Sequence, residues 1–132
     1  MEKYTFYQQI FKSFGLVQMI MPMYNISKVK ILAKEFTVCR GIASKTKGLM
    51  FSEKKTLVFV FKREHIISLH MFFVFFPIDV IFLDKKKIVV DIKENFRPFT
   101  FYKSRKNAFY VIELNYGIIK KTKTQIGDKI KF

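Results

Sequence analysis

The chain is poor in the residues that build disulfides, metal sites and phosphate-binding loops: its 132 residues include one cysteine, two histidines, five glycines and no tryptophan. The single cysteine, Cys39, cannot form an internal disulfide, which excludes a disulfide-stapled secreted module and favours a reducing compartment. One cysteine and two histidines are too few for a typical zinc site or a cysteine nucleophile. Gly41 and Gly48 lack the lysine and hydroxyl residue of a P-loop. We therefore expect a cytoplasmic protein without metal or cofactor, with a membrane-peripheral or an exported protein as the alternatives, and whether it is an enzyme stays open.

Acidic residues are also scarce, since 25 lysines and arginines face 10 aspartates and glutamates and leave a net charge of +15. A genome rich in A and T raises the frequency of lysine together with isoleucine and phenylalanine, which explains part of this excess. The remaining surplus creates a positive potential that attracts polyanions such as nucleic acid, anionic lipid headgroups or an acidic partner. Charge by itself does not select among them.

The longest apolar segment, Ile66–Leu83, has the minimum length for a transmembrane helix. Pro77, Asp79 and His70 interrupt it, and its aromatic and β-branched residues favour strands. We predict a strand over Leu69–Phe75, then two strands, 78–83 and 88–92, joined by the charged tip 84–87. The continuous apolar run predicts strands that are buried on both faces.

Short apolar segments with turn signals between them continue along the rest of the chain, and they predict an all-β fold. We expect a single compact β-barrel or sandwich-like domain over residues 27–132, with one or two short helices. The remaining predicted strands are 29–33, 36–42, 56–61, 99–102 and 109–114. Residues 118–123 are predicted as a short helix or an extended link, and Gly127-Asp128 as a turn.

Residues 1–26 are predicted to form an N-terminal helical extension. Tyr4–Phe14 has the 3.6-residue period of an amphipathic helix that Gly15 would end, and the apolar Leu16–Tyr24 follows, broken by Pro22. Three interpretations remain open: a helix packed on the domain, a helix in a membrane interface, or a segment created by a wrongly assigned start codon.

Several motifs occur in the order found in one protein family. They are Gly48-Leu49-Met50, Val58–Phe61, Met71, Pro77–Asp84, Val111–Leu114 with Gly117, and Gly127-Asp128. Over roughly residues 29–132 the chain resembles the domain of unknown function 192 family, also called uncharacterised protein family 0127. The sequence His70-Met71-Phe72-Phe73-Val74, where many members have Trp-Met-Lys-Asn-Thr, resembles the archaeal branch. The resemblance implies a β-rich barrel or sandwich and no known activity, so it assigns no catalytic residues.

Two carboxylates lie inside apolar strands, and they are the candidates for a pocket. Asp79 follows Pro77, and Glu113 lies in the segment Phe109–Leu114. Buried carboxylates need donors or a cation, and in a pocket their pKa can shift toward catalytic use. Asp79, Glu113 and His70 form our candidate pocket, whereas the structural alternative is that Asp79 accepts backbone N–H groups at a turn.

The basic residues fall mostly in predicted loops. Our candidate anion-binding residues are Lys85, Lys86, Lys87, Lys103, Arg105 and Lys106. Nearby aromatic residues would offer stacking platforms for single-stranded nucleic acid if they are exposed: Phe99, Phe101, Tyr102, Phe109 and Tyr110. For these charges to bind a polymer they must gather on one face.

The sequence does not determine a function, and three hypotheses remain. The first is a non-enzymatic basic module that binds an anionic polymer, nucleic acid first. The second is an enzyme or small-ligand protein with a pocket near Asp79 and Glu113. The third is a protein associated with a membrane surface through residues 4–24. Nothing in the sequence indicates an oligomeric state.

Overall fold

A computed structural model describes residues 16–40, 55–71 and 75–132 of the chain. Within these ranges the chain is mostly strand, with one short helix, α1 (Ile118–Thr122). The strands are β1 (Leu16–Met19), β2 (Met23–Asn25), β3 (Lys30–Ala33), β4 (Phe36–Arg40), β5 (Leu57–His65), β6 (Ser68–His70), β7 (Ile78–Leu83), β8 (Val89–Phe96), β9 (Phe101–Lys103), β10 (Ala108–Asn115) and β11 (Ile130–Lys131).

A six-stranded sheet in the order β1-β4-β5-β10-β7-β8 forms the centre of the fold. Its neighbouring strands are antiparallel, except that β4 and β5 are parallel. Every residue of β7 is buried, and four consecutive residues of β10 are buried as well. Both faces of β7 are therefore covered, which confirms the prediction made from its continuous apolar run.

A two-stranded ribbon, β6–β9, lies against one face of the central sheet. Ile67 and Met71, which flank β6, pack there with Phe82, Phe96 and Val111. The small sheet β11-β2-β3 and helix α1 cover the other face, where they contribute core residues Met23, Leu32, Ile119 and Ile130. The fold is therefore all-β and sandwich-like. In the described ranges β1 and β8 are the two edge strands of the central sheet, and the sheet does not close into a barrel.

The hairpin between β7 and β8 turns at the predicted charged tip. Asp84 makes this turn, because its Oδ1 accepts the backbone N–H groups of Lys86 (2.9 Å) and Ile88 (3.0 Å). Its own backbone N–H donates to the carbonyl of Ile88. The lysines of the tip are consequently not needed to form the turn, and Lys85 and Lys86 stay exposed.

The described part of the N-terminal segment, residues 16–26, does not form the predicted helical extension. Leu16–Met19 is an edge strand antiparallel to β4, and Met23–Asn25 pairs with both β3 and β11. The backbone hydrogen bonds of these strands are thus made with β4, β3 and β11 and not within a helix. The amphipathic pattern at Tyr4–Phe14 lies outside the described residues. No helix within 16–40, 55–71 and 75–132 has the length and apolar character to cross a membrane.

Candidate functional site

Asp79 is fully buried at the start of β7, and its carboxylate is occupied by backbone donors. Oδ1 accepts the N–H of Asn95 (3.0 Å), and Oδ2 accepts those of Gly117 and Ile119, both at 3.0 Å. The carboxylate therefore joins the end of β8 to the first turn of α1, where it satisfies orphan helix donors. Gly117 adopts φ 94°, which a residue with a side chain rarely adopts.

Glu113 lies on β10 in a different environment. It is buried on the face that carries Cys39 and Leu57, and this burial raises the pKa of its carboxyl to about 7. Burial also raises the pKa of the Cys39 thiol to about 12, and the nearby charge of Glu113 adds to this shift. Such a thiol stays protonated at neutral pH and is a poor nucleophile.

The three candidate pocket residues do not come together. Asp79 is opposite Leu114 in the register of β7 and β10, whereas Glu113 is opposite Val80. Since side chains alternate along strands, the two carboxylates point to opposite faces of the sheet. His70 is exposed and pairs with Phe101 in the β6–β9 ribbon. No group of three potential metal ligands occurs among the described residues.

Asp91, which is not among the residues predicted from the sequence, accepts more hydrogen bonds than the other buried acids of the described residues. Its Oδ2 accepts the Tyr102 hydroxyl at 2.8 Å, and Oδ1 lies 2.6 Å from Nη2 of Arg105. Burial opposes its negative charge, but the hydrogen bonds from Arg105, Tyr102 and Ile92 hold the pKa of Asp91 below its usual value. This network fixes the loop after β9 to the central sheet.

The six candidate anion-binding residues divide into two groups. Arg105 forms a salt bridge with Asp91. The Nζ of Lys87 donates a hydrogen bond to the backbone carbonyl of Phe132 (2.8 Å) and lies 4.0 Å from the centre of the Phe132 ring. Burial and the charge of Lys129 lower the pKa of Lys87. The other four are exposed: Lys85, Lys86, Lys103 and Lys106.

Three neighbouring strands bring basic side chains to one end of the central sheet. Ala108 pairs with His65 and Tyr110 pairs with Leu83, so the end of β5, the start of β10 and the end of β7 coincide. The backbone N–H of Lys85 lies 3.4 Å from Oε1 of Glu64, which connects the hairpin tip to β5. We call this region the basic end; its members are all exposed and are Lys62, Arg63, Lys85, Lys86 and Lys106.

A shallow groove of about 330 Å³ lies near the opposite end of β8. We call it the aromatic groove, and it is lined by Lys93, Glu94, Asn95, Arg97, Thr100 and Phe101. Phe101 is 70% exposed, and the neighbouring Phe99 is 61% exposed. Of the five predicted stacking residues these two are exposed, whereas Tyr102, Phe109 and Tyr110 are half-buried.

Known proteins place the chain in one family. The sequence model of the DUF192 family, which is described as uncharacterized ACR, matches residues 25–132 of this chain. A UPF0127 protein of Thermococcus sibiricus is 36% identical over 112 residues, which cover 82% of this chain and 72% of that protein. UPF0127 protein PF1050 of Pyrococcus furiosus is 34% identical over 113 residues, which cover 83% of this chain and 97% of that protein.

Solved structures share the fold. One, described as a "putative transcription regulator" from Sinorhizobium meliloti 1021, has a TM-score of 0.72 and 22% identity, with coverage of 89% of this chain and 95% of the other. A protein of unknown function from Novosphingobium aromaticivorans has a TM-score of 0.67 and 21% identity, with coverage of 89% and 85%. Likeness at these identities shows the fold alone. The family match and the archaeal relatives show that this chain belongs to the DUF192 (UPF0127) family.

Proposed function

We propose that the protein is a non-enzymatic module that binds nucleic acid through its basic end. The observation that carries this proposal is the convergence of Lys62, Arg63, Lys85, Lys86 and Lys106 from three neighbouring strands. Clustered cations bind a polyanion more strongly than the same charges dispersed over the surface, because each phosphate contact releases a condensed counterion.

The acidic residues beside the basic end support the proposal. They are Glu64 and Asp84, and the carboxylate of each accepts backbone N–H groups of the hairpin tip. Lysine and arginine side chains that meet phosphates position a nucleic acid without selecting its sequence. Accordingly, the proposal predicts binding that depends on salt and depends little on sequence.

Two variants of equal charge test the proposal. One replaces Lys85, Lys86 and Lys106 by glutamine, and its control replaces Lys120, Lys121 and Lys123, which are exposed on and just after α1. Helix α1 lies at the other end of the sheet, where Asp79 holds it. Affinity for a fluorescein-labelled oligonucleotide is measured at physiological salt, and circular dichroism confirms that each variant is folded.

We expect the first variant to bind roughly tenfold to fiftyfold more weakly than the unmodified protein, since it loses three phosphate contacts. The control variant should lose less than about threefold, because only the long-range field changes. Equal losses of affinity in the two variants would mean that the net charge of the protein, and not the cluster at the basic end, determines binding. Absence of binding by the unmodified protein at physiological salt would reject the proposed function.

A further inference from the structure

The exposed face of β9 leads from the aromatic groove toward the basic end. Phe101 and Lys103 are two residues apart on this strand, so they project from the same face at about 7 Å separation. Tyr102 between them is half-buried, and its ring lies 5.7 Å from that of Phe82 in the core. The chain then continues through Arg105 to Lys106 at the basic end.

The groove itself combines cations with exposed aromatic rings. Lys93 and Arg97 line it with Phe101, and the Nζ of Lys93 lies 5.5 Å from the centre of the Tyr102 ring. Phe99 adds a second exposed ring and adopts φ 62°, a conformation that most side chains avoid. Glu94 also lines the groove, and its negative charge disfavours a phosphate beside it.

We propose that this surface selects single-stranded nucleic acid, with a base stacked on Phe101 and the adjoining phosphates on Lys93, Arg97 and Lys103. This inference rests on the proposed function and names its substrate class. An aromatic face accepts any base, and stacking requires a base that is not already held inside a duplex. The spacing of Phe101 and Lys103 resembles that of successive nucleotides in an extended strand. Arg105 contributes less, because Asp91 offsets its charge.

Phe101→Ala and a matched control, Tyr116→Ala, test the inference. Tyr116 is 59% exposed in the turn before α1, and α1 covers the face of the central sheet opposite the β6–β9 ribbon. Each variant and the unmodified protein are titrated into a labelled single strand of about 20 nucleotides, longer than the 4–16 nucleotides that one small β domain typically covers. A duplex of the same length is measured in parallel.

We expect the unmodified protein to prefer the single strand, and Phe101→Ala to weaken that binding by roughly fivefold to a hundredfold. Its affinity for the duplex should stay within twofold, and Tyr116→Ala should change neither. The variant Phe101→Trp should keep the affinity. Because the chain has no other tryptophan, quenching of its fluorescence by the oligonucleotide would report stacking directly.

The outcomes distinguish this inference from the function on which it rests. Equal affinity for single strand and duplex, or no loss in Phe101→Ala, would overturn the inference and leave binding by the basic end intact. A Phe101→Trp variant that binds without quenching would also overturn it. If the unmodified protein binds neither oligonucleotide at physiological salt, both proposals fail.

Discussion

Acidic and basic side chains occupy different regions of this protein. The interior of the described part holds four carboxylates, those of Asp79, Asp91, Glu113 and Asp128, and no lysine or arginine. The basic side chains of the described residues lie at the surface or are half-buried, and five exposed ones lie at the basic end. The net charge of +15 therefore understates how positive the surface is, because much of the compensating charge lies inside.

The interior acids also differ among themselves. Asp79, Asp91 and Asp128 each accept several hydrogen bonds, and Asp128 receives one from Asn25 at 2.9 Å. Glu113 lies among apolar side chains, and burial alone accounts for the shift of its pKa. Hydrogen-bond donors lower the pKa of Asp91 and of Asp128 although burial opposes this, whereas burial raises the pKa of Glu113.

Removing Asp79, the interior acid that accepts three backbone N–H groups from separate elements, should have the largest effect on stability. The Asp79→Ala substitution leaves three backbone N–H groups without their acceptor, so we expect the free energy of unfolding to fall by about 4 kcal/mol. Asp79→Asn, which keeps one acceptor oxygen, should lose about half as much. Urea denaturation followed by circular dichroism measures both. A loss below about 1 kcal/mol in the alanine variant would contradict this role for Asp79.

Glu113 should make the protein less stable as the pH rises. Its pKa is 4.5 when unfolded and about 7 when folded. The folded state binds the proton more tightly, so the stability is fully present below pH 4.5 and decreases up to about pH 7, by about 3 kcal/mol. Urea denaturation from pH 5 to pH 8 measures the slope. Glu113→Gln should abolish this component, and the exposed Glu94→Gln should not; equal slopes in all three proteins would contradict the assignment.

The Asp91–Arg105 pair should give a smaller effect with the opposite pH dependence. Hydrogen bonds lower the pKa of Asp91, so its contribution is present above about pH 4 and is lost as the pH falls through the lowered value. We expect Asp91→Asn to cost about 2 kcal/mol, because the Arg105 guanidinium is 66% exposed and water replaces part of its interaction. In a double-mutant cycle with Arg105→Gln, additive losses would show that the pair does not interact.

Much of the fold could be predicted from the sequence because its signals are local. The run Ile78–Leu83 and the charged tip after it appear in the structure as β7 and its turn. The alternative prediction for Asp79, that it accepts backbone N–H groups at a turn, agrees with its hydrogen bonds to Gly117 and Ile119. The apolar pattern of Leu16–Met19 predicts part of a helical extension instead of a strand, because it contains no information about the partner strand β4.

The candidate site was less predictable because it depends on contacts that are distant in sequence. No local pattern singles out Asp91, because its partner Arg105 is 14 residues away, beyond β9. Lys62 and Arg63 are not among the candidate anion-binding residues, since only the pairing of β5 with β10 brings them to the same end of the sheet as Lys106. Sequence spacing could not show that Arg105 and Lys87 form hydrogen bonds within the protein, or that Lys85 and Lys86 are exposed to solvent.

The salt dependence of nucleic-acid binding tests most directly whether the basic surface is functional. Binding of a labelled single strand is measured over a series of salt concentrations, and the logarithm of the binding constant is plotted against that of the salt concentration. Three to five phosphate contacts predict a slope of about −2 to −3.5 for a single strand, with binding retained at physiological salt. A slope shallower than about −1, or binding that disappears below physiological salt, would show that the basic end is only solvated surface.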